Sequence, residues 1–318
     1  MNTESLATFA AVARAGGITK AAQSLNTVQS NVTARIKHLE AELGTSLFRR
    51  HSRGITLTPA GAQLLPYAER IGHLLEEARR AATDDPLPKG RLQIGAMETT
   101  AALRLPQVLS AYAAACPQVD LVLQTGPTEQ LVSDVLERRL EGALVAGPIE
   151  HPDLIIEPVI EEELVVIAGP GVRSLAAATS SDDTKILVFR AGCSYRRRLE
   201  KLLAERGVAS IRRLELGTLE GIIGCVAAGM GISLLPRAVI ETAAREKRLT
   251  IHTLRPQDAK VATLFVRRHD AFVSTALSRF VECAKAPQRK SRPSEKPARG
   301  ARRSYSAALS SDATPDRS

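Results

Sequence analysis

The chain has 318 residues, more than one ordinary domain needs, and its 44% apolar but 3% aromatic composition, without Trp, points to cores of Leu, Val, Ile and Ala. No apolar run is long enough to cross a bilayer, and a start containing Asn2, Glu4 and Ser5 is no secretory leader, so a cytoplasmic location is expected. The net charge of +9 lies at the ends: residues 1–58 hold seven basic and three acidic groups, residues 286–318 eight and three, and the stretch between is balanced at 28 of each. A polyanion would be met at the termini and not by the central body.

The first apolar stretch, Leu6, Phe9, Ala10, Val12 and Ala13, has helical spacing and stops at Gly16-Gly17. A short helix follows with Thr19 as N-cap and Ala21, Ala22 and Leu25 on its apolar face. Asn26-Thr27 turns the chain into a third helix, where Val32, Ile36, Leu39 and Leu43 share one side and Gly44 ends it. The opposite face reads Gln29, Ser30, Asn31, Thr33, Arg35 and Lys37, the mixture a recognition helix needs: polar groups for base edges and cations for phosphates. Thr19 and Lys20, on the preceding helix, are further candidate DNA contacts. Residues 46–58 alternate on both sides of His51-Ser52-Arg53-Gly54, which predicts a basic hairpin presenting Arg49, Arg50 and Arg53 to the backbone or minor groove. Residues 1–58 are thus read as a winged helix-turn-helix for duplex DNA.

Thr58-Pro59 opens a long helix over 59–83, with Thr as N-cap and Pro at its first position. Leu64, Ala68, Ile71, Leu75 and Ala78 give it an apolar stripe that nothing nearby in sequence covers, so pairing with the same helix of a second copy is expected; Pro66 should kink it or loosen one turn. Residues 84–90, Asp-Asp-Pro-Leu-Pro-Lys-Gly, read as a hinge. From residue 91 to 285 strands and helices alternate, the mark of an α/β domain. The expected strands are Leu92–Met97, Val119–Thr125, Ala143–Ala146, Leu164–Ala168, Ile186–Phe189, Ile232–Leu235 and Val261–Val266. The expected helices are Ala101–Ala115, Glu129–Leu140, Tyr195–Arg206, Leu219–Ala228, Ala238–Glu246 and Ala271–Ala284. The tail, 286–318, is Pro, Ser, Arg and Ala without apolar periodicity and reads as disordered and basic, either extending nonspecific DNA affinity or simply solvated.

Within the α/β region, Glu98, Thr99 and Thr100 follow the first strand and precede a helix, and Thr128 and Thr218 stand before helices in the same way. Ser194, Tyr195 and Arg196 add hydroxyls and a cation at a further helix start. Helix N-termini with hydroxyls suit a small anion, and Glu98 allows an amino-acid-like ligand. The competing reading is that these are ordinary N-caps. The four cysteines, Cys116, Cys193, Cys225 and Cys283, are scattered with no CxxC pair and no zinc spacing, so neither metal nor cofactor is expected. A thiol switch at Cys193, with Cys225 as partner, is the redox alternative.

Phe9-Ala10-Ala11-Val12-Ala13, Ala21-Ala22-Gln23-Ser24-Leu25, Gln29, Val32, Ile36, Leu39-Glu40, Glu42-Leu43-Gly44, Leu47-Phe48-Arg49-Arg50 and Leu57-Thr58-Pro59-Ala60-Gly61 together resemble the helix-turn-helix, wing and linker helix of LysR-type transcriptional regulators. Residues 227–236, Ala-Ala-Gly-Met-Gly-Ile-Ser-Leu-Leu-Pro, are similar to that family's two-lobed, periplasmic-binding-protein-like effector domain. The recognition helix departs from the family at Val28, Ser30 and Ala34, with Arg35 one place later than the family's Arg. The resemblance implies an α/β protein with an N-terminal winged helix-turn-helix, working as a homodimer and, beyond that, a homotetramer. It implies DNA, a small-molecule effector between the lobes, and RNA polymerase as partners. A cytosolic solute-binding protein would share the central fold without needing the basic N-terminal module. An enzyme would need a catalytic constellation, and no nucleophile elbow, phosphate loop or dinucleotide fingerprint is present.

Overall fold

In the computed structural model, which describes residues 1–51, 54–179, 184–208 and 210–286, the N-terminal unit is built from three helices, a hairpin and one long helix. Helix α1 (Thr3–Ala15) starts where the Asn2 side chain accepts from the Ser5 N–H at 2.8 Å, and it stops at Gly16 in the left-handed region, φ 64°. Helix α2 (Ile18–Ser24) is capped by Gly17; the expected cap, Thr19, is its second residue, because the turn through Gly16 leaves Gly17 extended and already in the cap position. Helix α3 (Gln29–Leu43) follows and ends at Gly44, φ 66°. Phe9, Val12, Ala21, Val32, Ile36 and Leu39 are buried together, each large apolar side chain contributing about 1.5–3 kcal/mol. Strands β1 (Phe48–His51) and β2 (Gly54–Leu57) pair antiparallel as the wing, with Phe48 opposite Leu57. Glu40 fixes the wing to α3: one of its carboxylate oxygens accepts from the Leu47 and Phe48 N–H groups at 2.7 and 3.2 Å. The Phe9 and Phe48 rings lie 5.2 Å apart and join the wing to α1.

Helix α4 (Pro59–Thr83) is capped by Thr58, whose hydroxyl accepts from the Gly61 N–H and donates to the Ser46 carbonyl, and Pro66 does not interrupt it. Its stripe is not left uncovered as expected. Leu64, Ala68 and Ile71 pack into the helix-turn-helix core of the same chain, because α1 lies along the first half of α4. The exposed apolar groups on α4 are instead Tyr67, Leu74 and Leu75, with Ala78 exposed near them. Arg138, Glu77 and Asp270 join the second half of α4 to the body that follows: the Arg138 guanidinium donates to Glu77 at 2.5 Å and to Asp270 at 2.7 Å. The Phe272 N–H donates to Glu77 at 2.7 Å.

The body contains β3 (Lys89–Ala96), α5 (Glu98–Leu103), α6 (Leu105–Ala115), β4 (Gln118–Thr125), α7 (Thr128–Leu136), β5 (Gly142–Ala146), β6 (Leu154–Ala168) and α8 (Leu175–Ala178). It continues through β7 (Thr184–Val188), α9 (Ser194–Ala204), β8 (Ile211–Glu215), α10 (Leu219–Ala227), β9 (Ser233–Pro236) and α11 (Arg237–Arg245). It closes with β10 (Thr250–Thr253), α12 (Pro256–Ala259), β11 (Lys260–Arg268) and α13 (Thr275–Lys285). One lobe holds the parallel strands β4, β3 and β5 beneath α6 and α13; the other holds β7 through β10 with α9, α10 and α11. The strand order β10-β6-β11-β5-β3-β4 joins them. β6 is the crossing element: residues 154–163 pair with β11 on the first lobe, and residues 164–168 pair with β9 and β10 on the second.

Several boundaries differ from the sequence expectation. β3 begins at Lys89, inside the expected hinge. The helix expected over 101–115 is broken at Arg104 because Pro106, in the first turn of α6, has no N–H for the preceding turn. The first ten residues of β6, and β8 and β10, were not expected as strands. Pro158 and the charges at Glu157, Glu161, Glu162 and Glu163 hide the period in β6. The last helix starts at Thr275, where the Ser274 hydroxyl caps it, and not at Ala271. The tail expected to be disordered lies outside the described residues. Among the described residues no helix is long and apolar enough to cross a membrane.

Candidate nucleic-acid interface and effector cleft

The outer face of the N-terminal unit is built by the first turn of α3. Val32, Ile36 and Leu39 point into the core, and helical spacing then turns Gln29, Ser30, Asn31 and Lys37 outward, all exposed, with Thr33 at the margin. The Asn31 amide donates to Thr27 at 3.2 Å, which steadies it at the helix start. Val28 caps α3 without a side-chain bond, so the first N–H groups of the recognition helix remain available to an anion. Thr19 and Lys20 are exposed on α2. Arg35 departs from the expectation: it folds back on Glu4 of α1 at 2.5 Å, because its place on the helix faces α1 more than the outer surface. Arg49 is exposed on β1. Neither Glu40 nor Glu42 holds it, since Glu40 accepts from the wing backbone and Glu42 pairs with the Met1 amino group. Of Arg50 only the backbone place in β1 is described, and Arg53 lies outside the described residues.

Between the lobes is a cavity of about 230 Å³. Glu98, Thr99, Thr128 and Tyr195, four of the eight residues singled out in the sequence, line it. They come together because β3, β4 and β7 all end at this edge, where an α/β sheet opens for ligands. The other four do not line it. Thr100 is buried behind Thr99. Ser194 faces a separate groove with Pro148, Arg197 and Arg198. Thr218 caps α10 by accepting from the Gly221 N–H. Arg196 is turned away and held by Glu200 at 3.2 Å and Glu215 at 2.6 Å, so it is not the cation of this site. That place is taken by Arg190, which follows β7, lines the cavity and has no ion-pair partner among the described residues. A search confined to helix starts passes over Arg190; the rule that binding residues follow the carboxyl ends of strands would have found it. Glu98, from the other lobe, also has no ion-pair partner among the described residues. The lobes meet at Glu129, whose N–H donates to the Gly192 carbonyl at 3.4 Å and whose carboxylate pairs with Arg197 at 2.7 Å.

Cys193 lines the same cavity, and burial pushes its thiol up, away from the reactive thiolate. It packs with the cluster of Tyr195 and Leu199, whereas Cys225 packs with that of Leu219 and Ile222. Among the described residues no group of three or more His, Cys, Asp or Glu side chains could hold a metal ion.

Two family models match. Residues 3–62 fit the bacterial regulatory helix-turn-helix protein, lysR family, and residues 86–288 fit the LysR substrate binding domain. The chain belongs to the LysR family. It is a DNA-binding transcriptional regulator of that type, built from the winged helix-turn-helix and two-lobed domain described above. The HTH-type transcriptional regulator GltR of Bacillus subtilis is 49% identical over 281 residues, covering 88% of this chain and 95% of that one. The uncharacterized HTH-type regulator YusT of the same species is 46% identical over 282 residues, covering 89% and 95%. Full-length CbnR in complex with its target DNA superposes with a TM-score of 0.64 at 25% identity, over 90% of this chain and 99% of that one. A full-length OxyR variant of Pseudomonas aeruginosa superposes at 0.67 with 20% identity over 92% and 99%, a likeness of fold alone.

Proposed function

We propose that this LysR regulator acts in the cytoplasm as a homodimer joined through α4, and as a dimer of dimers beyond that. It sets its two recognition helices in successive major grooves of an interrupted palindrome. Gln29, Ser30, Asn31 and Thr33 read base edges, while Thr19, Lys20, Lys37, Arg49, Arg50 and Arg53 meet phosphate or the minor groove, and Arg35 joins them only by leaving Glu4. An exposed ion pair such as Arg35–Glu4 is worth about 1 kcal/mol or less, little enough for a phosphate to displace. The protein acts by binding and not by catalysis.

A small anion or amino-acid-like effector enters the cleft, and closure of the lobes re-angles the helix-turn-helix units and changes DNA bending or polymerase contact. The observation that carries this reading is the pair of opposite charges, Arg190 and Glu98, that line one cavity from two lobes and have no ion-pair partner among the described residues. Purified protein is expected to shift its own upstream region at moderate salt, and Arg190→Gln should abolish the effector response while leaving that shift intact. Failure to shift the upstream fragment refutes the DNA reading; an undiminished response in Arg190→Gln refutes the effector site.

A further inference from the structure

At the cavity wall and behind it lies a group of polar atoms without partners among the described residues. The hydroxyls of Thr99, Thr100, Tyr195 and Thr263 and one carboxylate oxygen of Glu162 are buried with no hydrogen-bond partner among the described residues. These residues sit where the lobes join. Thr99 and Thr100 begin α5, Glu162 and Thr263 lie on the two strands that pair between the lobes, and Tyr195 starts α9 on the far side. Thr99 and Tyr195 line the cavity itself and are 2% and 3% exposed. The Glu162 side chain is 3% exposed; its other oxygen accepts from the Arg104 Nε at 3.3 Å. Burial pushes the Tyr195 phenol up, and the nearby Glu162 charge adds to this against a weaker opposing pull from the Thr99 hydroxyl.

An unmade hydrogen bond at a buried polar atom costs about 1–3 kcal/mol. A native cluster of such atoms at a cavity therefore calls for an occupant, and the kinds of atom say which. A carboxylate oxygen only accepts, and the hydroxyls can accept as well. A donor occupant satisfies every one of these atoms, and the two nearby carboxylates, Glu98 and Glu162, favour a positive one. Arg190, which lines the same cavity without an ion-pair partner among the described residues, asks for the opposite charge.

We propose that the cleft is specific for a zwitterion of amino-acid type, whose protonated nitrogen is received by Glu98 and the Thr99 and Tyr195 hydroxyls, with the Glu162 charge acting through Tyr195 from outside the lining, while its carboxylate meets Arg190. This rests on the cleft being the effector site, and it decides between the simple anion and the amino-acid-like ligand left open above. Tyr195 and Thr99 act as the specificity groups, with the Glu162 charge favouring a cation beside Tyr195: a ligand of the same shape that lacks the nitrogen leaves the two buried hydroxyls without a donor and gains nothing from that charge.

The test uses the full-length protein and matched pairs of probes: L-alanine with propionate, L-glutamate with glutarate, and L-phenylalanine with 3-phenylpropionate, measured by thermal shift and titration calorimetry at pH 7. At least one amino acid is expected to bind at least tenfold tighter than its partner without the amino group. Glu162→Gln should reduce that ratio below threefold with DNA binding retained, and Tyr195→Phe, which removes only the hydroxyl, should reduce it in the same direction. Arg190→Gln should weaken both members of a pair alike. Equal binding of the two members, or a ratio unchanged in both floor variants, overturns the proposal and leaves ordered water as the only occupant of the floor. If no amino acid of the set binds, the proposal is overturned; if Arg190→Gln in addition leaves the cellular inducer response intact, the cleft reading itself fails, a result distinct from the loss of nitrogen selectivity alone.

Discussion

Removal of the Arg138 side chain tests how the linker helix is held to the effector domain. Arg138 is 11% exposed and stands between Glu77, 14% exposed on α4, and Asp270 at the end of β11. Breaking a buried ion pair costs about 3–5 kcal/mol, and an exposed one about 0.2–1. This network lies between. Glu77 would keep the Phe272 N–H and Asp270 would keep Arg268 at 2.7 Å, so Arg138→Ala leaves neither carboxylate bare. The expected local loss is about 2 kcal/mol. A second contribution has the opposite sign. Arg138 sits at φ 62°, where a residue with a Cβ pays about 1–2 kcal/mol and glycine does not. Arg138→Gly should therefore be about 1 kcal/mol better held than Arg138→Ala, although both lose the same ion pairs. The protein has more than one cooperative unit, so a local probe serves better than a single unfolding midpoint. Amide hydrogen exchange at Phe272, which bonds to Glu77, should quicken roughly thirtyfold in Arg138→Ala and about fivefold less than that in Arg138→Gly. Exchange within twofold of the parent in the alanine variant, or faster exchange in the glycine variant than in the alanine one, would refute the reasoning.

Gly61→Ala should destabilise the N-terminal unit by about 1–3 kcal/mol, seen by urea unfolding, because its Cβ would overlap the Leu47 carbonyl oxygen and force α4 off the wing. Tyr67→Glu with Leu74→Glu should convert the proposed dimer to monomer in sedimentation with little change in melting temperature, since these side chains are 62% and 45% exposed and support no core of their own. Hydrogen bonding and pairing with Arg268 and Arg138 hold the Asp270 carboxyl at about 2, below the usual 3.8. A depressed carboxylate stabilises the fold above its ordinary range, so its contribution is full above about pH 4 and lost as pH falls toward 2; Asp270→Asn should flatten the acid limb of the stability curve there. His73 on α4 is pushed down by burial, so the folded state prefers it neutral, and stability of the linker region should fall as pH drops through 6.5.

The winged helix-turn-helix was legible because its information is local. Period, caps and glycines in residues 5–58 fix three helices and a hairpin, and the core face of α3 determines which residues point outward. The same local signals marked the strand ends that open on the cavity between the lobes, which is why Glu98, Thr99, Thr128 and Tyr195 lie along it. Position in three dimensions was not local. One residue separates Ser194 from Arg196, yet the buried hydroxyl of one faces a different groove and the guanidinium of the other is captured by Glu200 and Glu215. Charge type alone could not say which arginine would stay unpaired, and Arg190 was passed over for Arg196. The stripe on α4 was read correctly as apolar, but only the packing of α1 along it decided that Leu64, Ala68 and Ile71 belong to the chain's own core while Tyr67 and Leu74 remain outside.

The sequence by itself thus determined the helix-turn-helix, the alternation of most strands and helices that follow, the place of the surplus charge and the family, since each follows from short-range periodicity or from an ordered set of residues. Tertiary structure alone decided which polar groups end without partners. Glu162 lies in a run of glutamates that reads as a solvated strand, and it becomes a buried acceptor only because β6 crosses from one lobe to the other beneath α5 and α9. Desolvation depends on what packs around a group, and that is set by residues far away along the chain.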